Sequence, residues 1–160
     1  MSPRNNPAKD RFIQSFPEST VESLASRLNG HLRFSLSFFD YSQPVSQNFE
    51  DWSHEQLSKL LHKLQHYSGN TKEFWQTQRV GAGSLKVLEI YGEFPSRSEF
   101  AKPKHVPIDA RWARFRLESD MRLIGFLLPA NVPGFSVAAE NTFFVVFLDQ
   151  HHKFYLPEDS

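Results

Sequence analysis

The stretch from Ala110 to Tyr155 reads as three successive strands ending in a short polar cluster, and a chain containing it must build a sheet. Trp112 to Leu117 alternates with period two: Ala113, Phe115 and Leu117 fall on one face, Trp112, Arg114 and Arg116 on the other. Met121 to Leu128 is nearly all apolar after Arg122, the pattern of a central strand covered on both faces. Thr142 to Leu148 is rich in Phe and Val, which suit a pleated, buried surface. Glu118-Ser119-Asp120 is a short polar turn that predicts a hairpin between the first two strands. After the third strand comes Asp149-Gln150-His151-His152-Lys153-Phe154-Tyr155. Two arginines on one strand, a third on the next and this His-His-x-x-Tyr end are expected to converge on one surface of the sheet.

The preceding residues supply helices. Residues 1–10 are polar and proline-marked, which predicts a loose tail. Val21, Leu24, Ala25 and Leu28 have helical spacing, with Asn29-Gly30 as a stop. His31 to Phe39 alternates as a strand, with Leu32, Phe34, Leu36 and Phe38 on one side. Ser53 to Tyr67 is the strongest helix: Ser53 and Gln56 form a capping box, and Leu57, Leu60, Leu61 and Leu64 make the apolar stripe. A shorter helix over residues 71–78 carries Phe74 and Trp75, and the two together predict a helical hairpin laid on the sheet. Leu85 to Tyr91 reads as an edge strand and residues 93–107 as a loop. Residues 129–141 form a long connection of the kind that is functional or mobile.

The expected fold is therefore α+β: a small, mainly antiparallel sheet with a helical hairpin packed on one face, plus an N-terminal helical extension, in one domain spanning residues 1–160. The 160 residues suffice for one core. Sixteen Phe favour a folded sheet protein over disorder. The formal net charge is zero, so no global field draws the chain to nucleic acid or membrane. A local basic patch remains: Lys102, Lys104, Arg111, Arg114, Arg116 and Arg122 stand against Asp109, Glu118 and Asp120. The absence of Cys excludes disulfides, thiolate metal sites and Cys nucleophiles. No apolar run is long enough to span a bilayer, and the N-terminus has no apolar signal core, so a cytoplasmic protein is expected.

The order strand–helix–helix–strand–strand–strand resembles the RelE/ParE superfamily of toxin–antitoxin systems over roughly residues 31–157. The resemblance is carried by Trp112-Ala-Arg-Phe-Arg-Leu, by Met121-Arg-Leu-Ile-Gly-Phe, and by Phe144-Val-Val-Phe-Leu-Asp-Gln-His-His-Lys-Phe-Tyr155. It implies a RelE-like core in which Arg114 and Arg116 take the place of the basic strand residues. Arg122 takes that of the arginine starting the next strand, and His151, His152 and Tyr155 that of the C-terminal cluster. It further implies a metal-independent endoribonuclease, a hydrolase acting on RNA at the ribosome, with a cognate antitoxin as partner. Neither cofactor nor metal is implied, and a small-molecule ligand is not expected.

Such chemistry needs these residue types. A His can take the 2′-hydroxyl proton, a fixed guanidinium can stabilise the charge of the phosphorane, and a His or Tyr can protonate the leaving 5′-oxygen. Each residue also has a structural reading. Arg114 and Arg116 are either a phosphate clamp beside a base-stacking Trp112 or arginines lying over an indole on an exposed sheet face. Arg122 is either part of that clamp or paired with Glu118 or Asp120. His151 and His152 point to opposite sides on an extended backbone, so one of them faces the arginines; His151 is slightly preferred from the resemblance. Tyr155 is a stacking residue, an acid or a core anchor. Lys102 and Lys104 widen an RNA-binding surface or lie in a solvated loop. His62 and His66, at i and i+4, read as a solvated helix face rather than half a zinc site. The neutral charge favours a second function, a non-catalytic protein-interaction module on the same fold.

Overall fold

A computed structural model of the protein describes residues 19–157 together with Pro7, Ala8 and Arg11. Apart from Pro7 and Ala8, the tail expected over residues 1–10 lies outside the described residues. A 3-10 turn at Glu22–Leu24 leads into α1 (Ala25–Gly30), followed by β1 (Arg33–Ser35), α2 (His54–Tyr67) and α3 (Lys72–Thr77). Then come β2 (Leu88–Gly92), β3 (Arg111–Arg116), β4 (Arg122–Leu127), the short α4 (Val137–Glu140) and β5 (Thr142–Asp149). The five strands form one mixed sheet in the order β1-β5-β4-β3-β2. From β2 to β5 every pairing is antiparallel, and β1 joins β5 in parallel, with Arg33 opposite Thr142. The α+β class and the succession of β3, β4 and β5 agree with the sequence reading.

The helical pair covers one face. Ser53 Oγ accepts from the Gln56 amide at 3.1 Å while Gln56 Oε1 accepts from the Ser53 amide at 2.9 Å, closing the capping box that starts α2. Leu60 and Tyr67 of α2 and Trp75 of α3 pack against Leu88, Phe115, Leu123 and Phe143 of the sheet. Polar atoms in this layer are partnered: Tyr67 Oη donates to the Arg116 carbonyl at 2.6 Å, and Trp75 Nε1 donates to the Tyr67 carbonyl at 2.7 Å. Burial pushes the Tyr67 hydroxyl up to about 12, so it remains a donor at neutral pH.

The opposite face is covered too, as the apolar run of β4 predicts, and the exposed sheet face considered for Arg114, Arg116 and Trp112 is not present. Residues 94–110, the segment around Phe38 and Val45, and Phe154 fold over it to make a second apolar core. Phe100 packs tilted against Phe147 at 4.5 Å, and Phe94 meets Trp112 edge-on at 5.0 Å. The covering loop is pinned by paired hydrogen bonds between Gln43 and the backbone of Ala101, and by the Glu99 amide on the Lys153 carbonyl. Enclosed this way, Trp112 is 0% exposed and has no free face for a base; its expected stacking role does not hold in this structure.

Two other expectations change. The strand expected over residues 31–39 shortens to β1, because the chain turns after Ser35 with the Phe39 amide on the Leu36 carbonyl. Leu32 and Phe34 then serve the helical side, Phe38 serves the second core, and Leu36 is left exposed. The connection 129–141, read as a long loop, contains the short α4, which Ser136 caps.

Candidate anion-binding site

Arg114, Arg116 and Arg122 do gather on one face, and the strand register dictates how. Arg114 lies opposite Glu89 of β2, Arg116 opposite Arg122 of β4, and Arg122 in turn opposite Asp149 of β5. The three are not equivalent. Arg114 is buried and its donors are taken up inside the protein. Nη2 contacts Glu89 Oε2 at 2.6 Å, Nε donates to Tyr91 Oη at 3.0 Å, and Nη1 donates to the Lys86 carbonyl at 3.2 Å. It is a fixed strut that also lends positive charge to its neighbours.

Arg122 is only 3% exposed. Its Nη1 donates to the carbonyls of Ser119 (2.7 Å) and Met121 (2.9 Å), which aims the guanidinium back across the β3–β4 turn. The turn is tight, with Ser119 at φ 50° and the Met121 amide on the Glu118 carbonyl. The expected pairing of Arg122 with Glu118 or Asp120 is not made. Glu118 instead binds Lys59 at 3.0 Å. Asp149, directly across the sheet, spends its carboxylate on the amides of Lys153 and Phe154, both at 2.9 Å. Arg116 is half-buried. Among the described residues neither Arg116 nor Arg122 forms an ion pair, and the buried Nε of each finds no acceptor. Like charges directly opposite on adjacent strands are destabilising, and an unpaired buried donor adds its own desolvation cost. Burial, then the charges of Arg116 and Arg114, lower the Arg122 pKa to about 10; burial and Arg114 lower that of Arg116. Both remain charged at neutral pH.

The histidine that joins this cluster is His152. It is half-buried and lies within electrostatic reach of Arg122, Arg114, Arg116 and Asp149. Its pKa is lowered, first by burial and then by Arg122, so the ring is neutral near pH 7. His151, the slightly preferred candidate, is exposed and borders a different recess, with Gln56, Lys59 and Asp120. The backbone here is a turn rather than the extended chain assumed from sequence. His152 sits at φ 57°, a region that non-glycine residues seldom occupy and that costs energy to hold.

Beside the cluster, Tyr155 stacks on Tyr91 at 4.9 Å and 7°. Phe154, not Tyr155, is the anchor of this segment: it is fully buried, while Tyr155 is exposed. Tyr91 escaped the sequence reading, although its position two residues after Glu89 on a strand was available as a signal. Lys102 and Lys104 are exposed and lie away from the arginines, on the loop that closes the second core. His62 and His66 line an open surface dip with Lys59 and Lys63.

Chemically, the site offers two guanidinium groups with unspent donors, a neutral imidazole and a pair of stacked phenols. No helix among the described residues is long and apolar enough to cross a membrane. Comparison of the chain with protein-family models, with curated proteins and with solved structures gave no match, so the RelE/ParE resemblance rests on the quoted residues alone.

Proposed function

We propose that the cluster binds the phosphodiester of single-stranded RNA and that the protein is a toxin-like, RelE-fold, metal-independent endoribonuclease of a toxin–antitoxin pair. The observation that carries this reading is Arg116 facing Arg122 on adjacent strands with, among the described residues, no carboxylate paired to either and no partner for the buried Nε of each. An arrangement that costs stability is retained where its charge is used, and a phosphodiester oxygen supplies the missing acceptor. His152, neutral at working pH, takes the 2′-hydroxyl proton as the 2′-oxygen bonds to phosphorus. Arg116 and Arg122 hold the charge of the phosphorane. The bond to the 5′-oxygen breaks, that oxygen takes a proton from water, and a 2′,3′-cyclic phosphate remains. Arg114 acts through Glu89 and Tyr91 as a positioning residue.

The test is RNA cleavage and growth arrest with Arg116→Ala and His152→Asn, the latter because Asn tolerates the same backbone region. We expect Arg116→Ala to weaken RNA binding and flatten its salt dependence by about 0.7 in log–log slope per lost phosphate contact. His152→Asn should preserve binding and lose cleavage by at least a hundredfold. Wild-type toxicity in both variants would remove the cluster from the mechanism.

One feature favours the second reading, a protein-interaction module. Leu36, Phe49, Leu57, Leu61, Leu64 and Val145 line an apolar groove between β1 and α2, and Leu36 and Leu61 are 52% and 63% exposed there. Under the first reading the same groove is where an antitoxin helix would dock.

A further inference from the structure

The arginine cluster lies at one end of β3, and a recess of about 530 Å³ lies at the other, beside Arg111 and Trp112. Between them on the same side stand Tyr91 and Tyr155. Arg116, Arg114 and Trp112 follow at two-residue intervals, each advancing about 7 Å along the strand. Tyr91 is bound to the middle one through its hydroxyl. The recess differs in character from the cluster. Lys102 and Arg111 are balanced in it by Glu93 and Asp109, and the partly exposed Phe94 supplies apolar wall. Ile108, which also borders it, is 90% exposed. Balanced charge repels no neutral group and offers both donors and acceptors, while the apolar wall favours a flat ring. These are the properties of a site for a base rather than for a phosphate.

The platform between the two sites is rigid. The Lys153 and Phe154 amides are tied to Asp149, the Leu156 amide is tied to the Arg97 carbonyl, and Phe154 is locked in the second core. Tyr155 therefore presents a ring already held by stacking, 44% exposed, to a partner on its free side. A base that stacks there loses little protein entropy.

We infer that the recess bordered by Lys102, Ile108 and Arg111 is a nucleobase subsite on the single-stranded path that begins at Arg116 and Arg122, and that Tyr155 stacks the base between them. The inference rests on the phosphodiester reading of the cluster and adds the direction in which the strand runs from it.

Fluorescence anisotropy with labelled oligoribonucleotides in EDTA tests it. A tetranucleotide should bind roughly a hundredfold tighter than a dinucleotide, about tenfold for each of the two bases stacked or seated. Removing the bases from the two added nucleotides should abolish the gain. Ile108→Asp, at a site too exposed to affect folding, should remove about tenfold of it, the share of the seated base, and leave dinucleotide affinity unchanged. Tyr155→Ala should weaken tetranucleotide binding roughly tenfold, and Tyr155→Phe should retain it. Equal affinity for intact and base-free tetranucleotides, or no effect of Ile108→Asp, would overturn the inference. If in the same experiment dinucleotide binding still depends on Arg116, the phosphodiester reading survives that failure. Oligonucleotides that bind no better to the wild type than to Arg116→Ala would remove both.

Discussion

The arginines on one sheet face carry opposite energetic roles. Arg114 is satisfied, so truncating it strands the Glu89 carboxylate and the Tyr91 hydroxyl; Arg114→Ala should lower stability by about 2 kcal/mol in urea denaturation. Arg122 is the reverse case. It is buried, faces Arg116 and, among the described residues, pairs with no carboxylate, so Arg122→Met should melt no lower than the wild type while, under the proposed function, losing RNA affinity. A stability gain coupled to a binding loss separates a functional charge from a structural one. His152 adds a pH signature. Its folded pKa lies below the ordinary 6.5, so the unfolded chain takes up the proton first as the solution is acidified. The stability present above 6.5 is then lost as the pH falls through the folded value. His152→Asn should remove that acid-side slope, and RNA binding should raise the His152 pKa, measurable by NMR titration.

At the scale of elements, the β4–β5 seam is the least forgiving part of the fold. The register shifts between Ile124 and Gly125, and a Cβ at Gly125 would collide with the Phe144 carbonyl and lie 2.6 Å from the Phe143 ring. Gly125→Ala should therefore destabilise by roughly 3 kcal/mol or prevent folding, whereas Ser53→Ala, which removes only the α2 cap, should cost about 1 kcal/mol. The strands and helices were legible in the sequence because their signals are local: period-two alternation in β3, a capping box before α2, an apolar run in β4. The gathering of Arg114, Arg116 and Arg122 was legible for the same reason, since parity along a strand and a short hairpin settle it. The burial of Trp112 was not, because it depends on a loop of residues 94–110 whose contacts lie across the chain. Nor was the choice of His152 over His151, since it turns on one left-handed residue in a turn that reads as extended. Tyr91 reads from sequence only as the end of an edge strand, because its pairing with Tyr155 is not local.

At the scale of the whole molecule, zero net charge conceals a polar distribution, with unpaired arginines at one end of β3 and exposed leucines on the helical side. These surfaces should be separable. Leu61→Glu, at an exposed position, should leave folding and RNA cleavage intact while abolishing capture of a helical partner in a pull-down with the neighbouring gene product. Retained capture would place the partner elsewhere. The order of the sheet has a further consequence, for biogenesis. Arg33 has to wait for Thr142 to be synthesised before β1 finds its neighbour, and β4 waits for the same segment. Until then two strand edges remain unzipped and the turn bearing His152 does not exist. In a nascent chain the sheet therefore closes late, when β5 slides between the earliest strand and the hairpin already made.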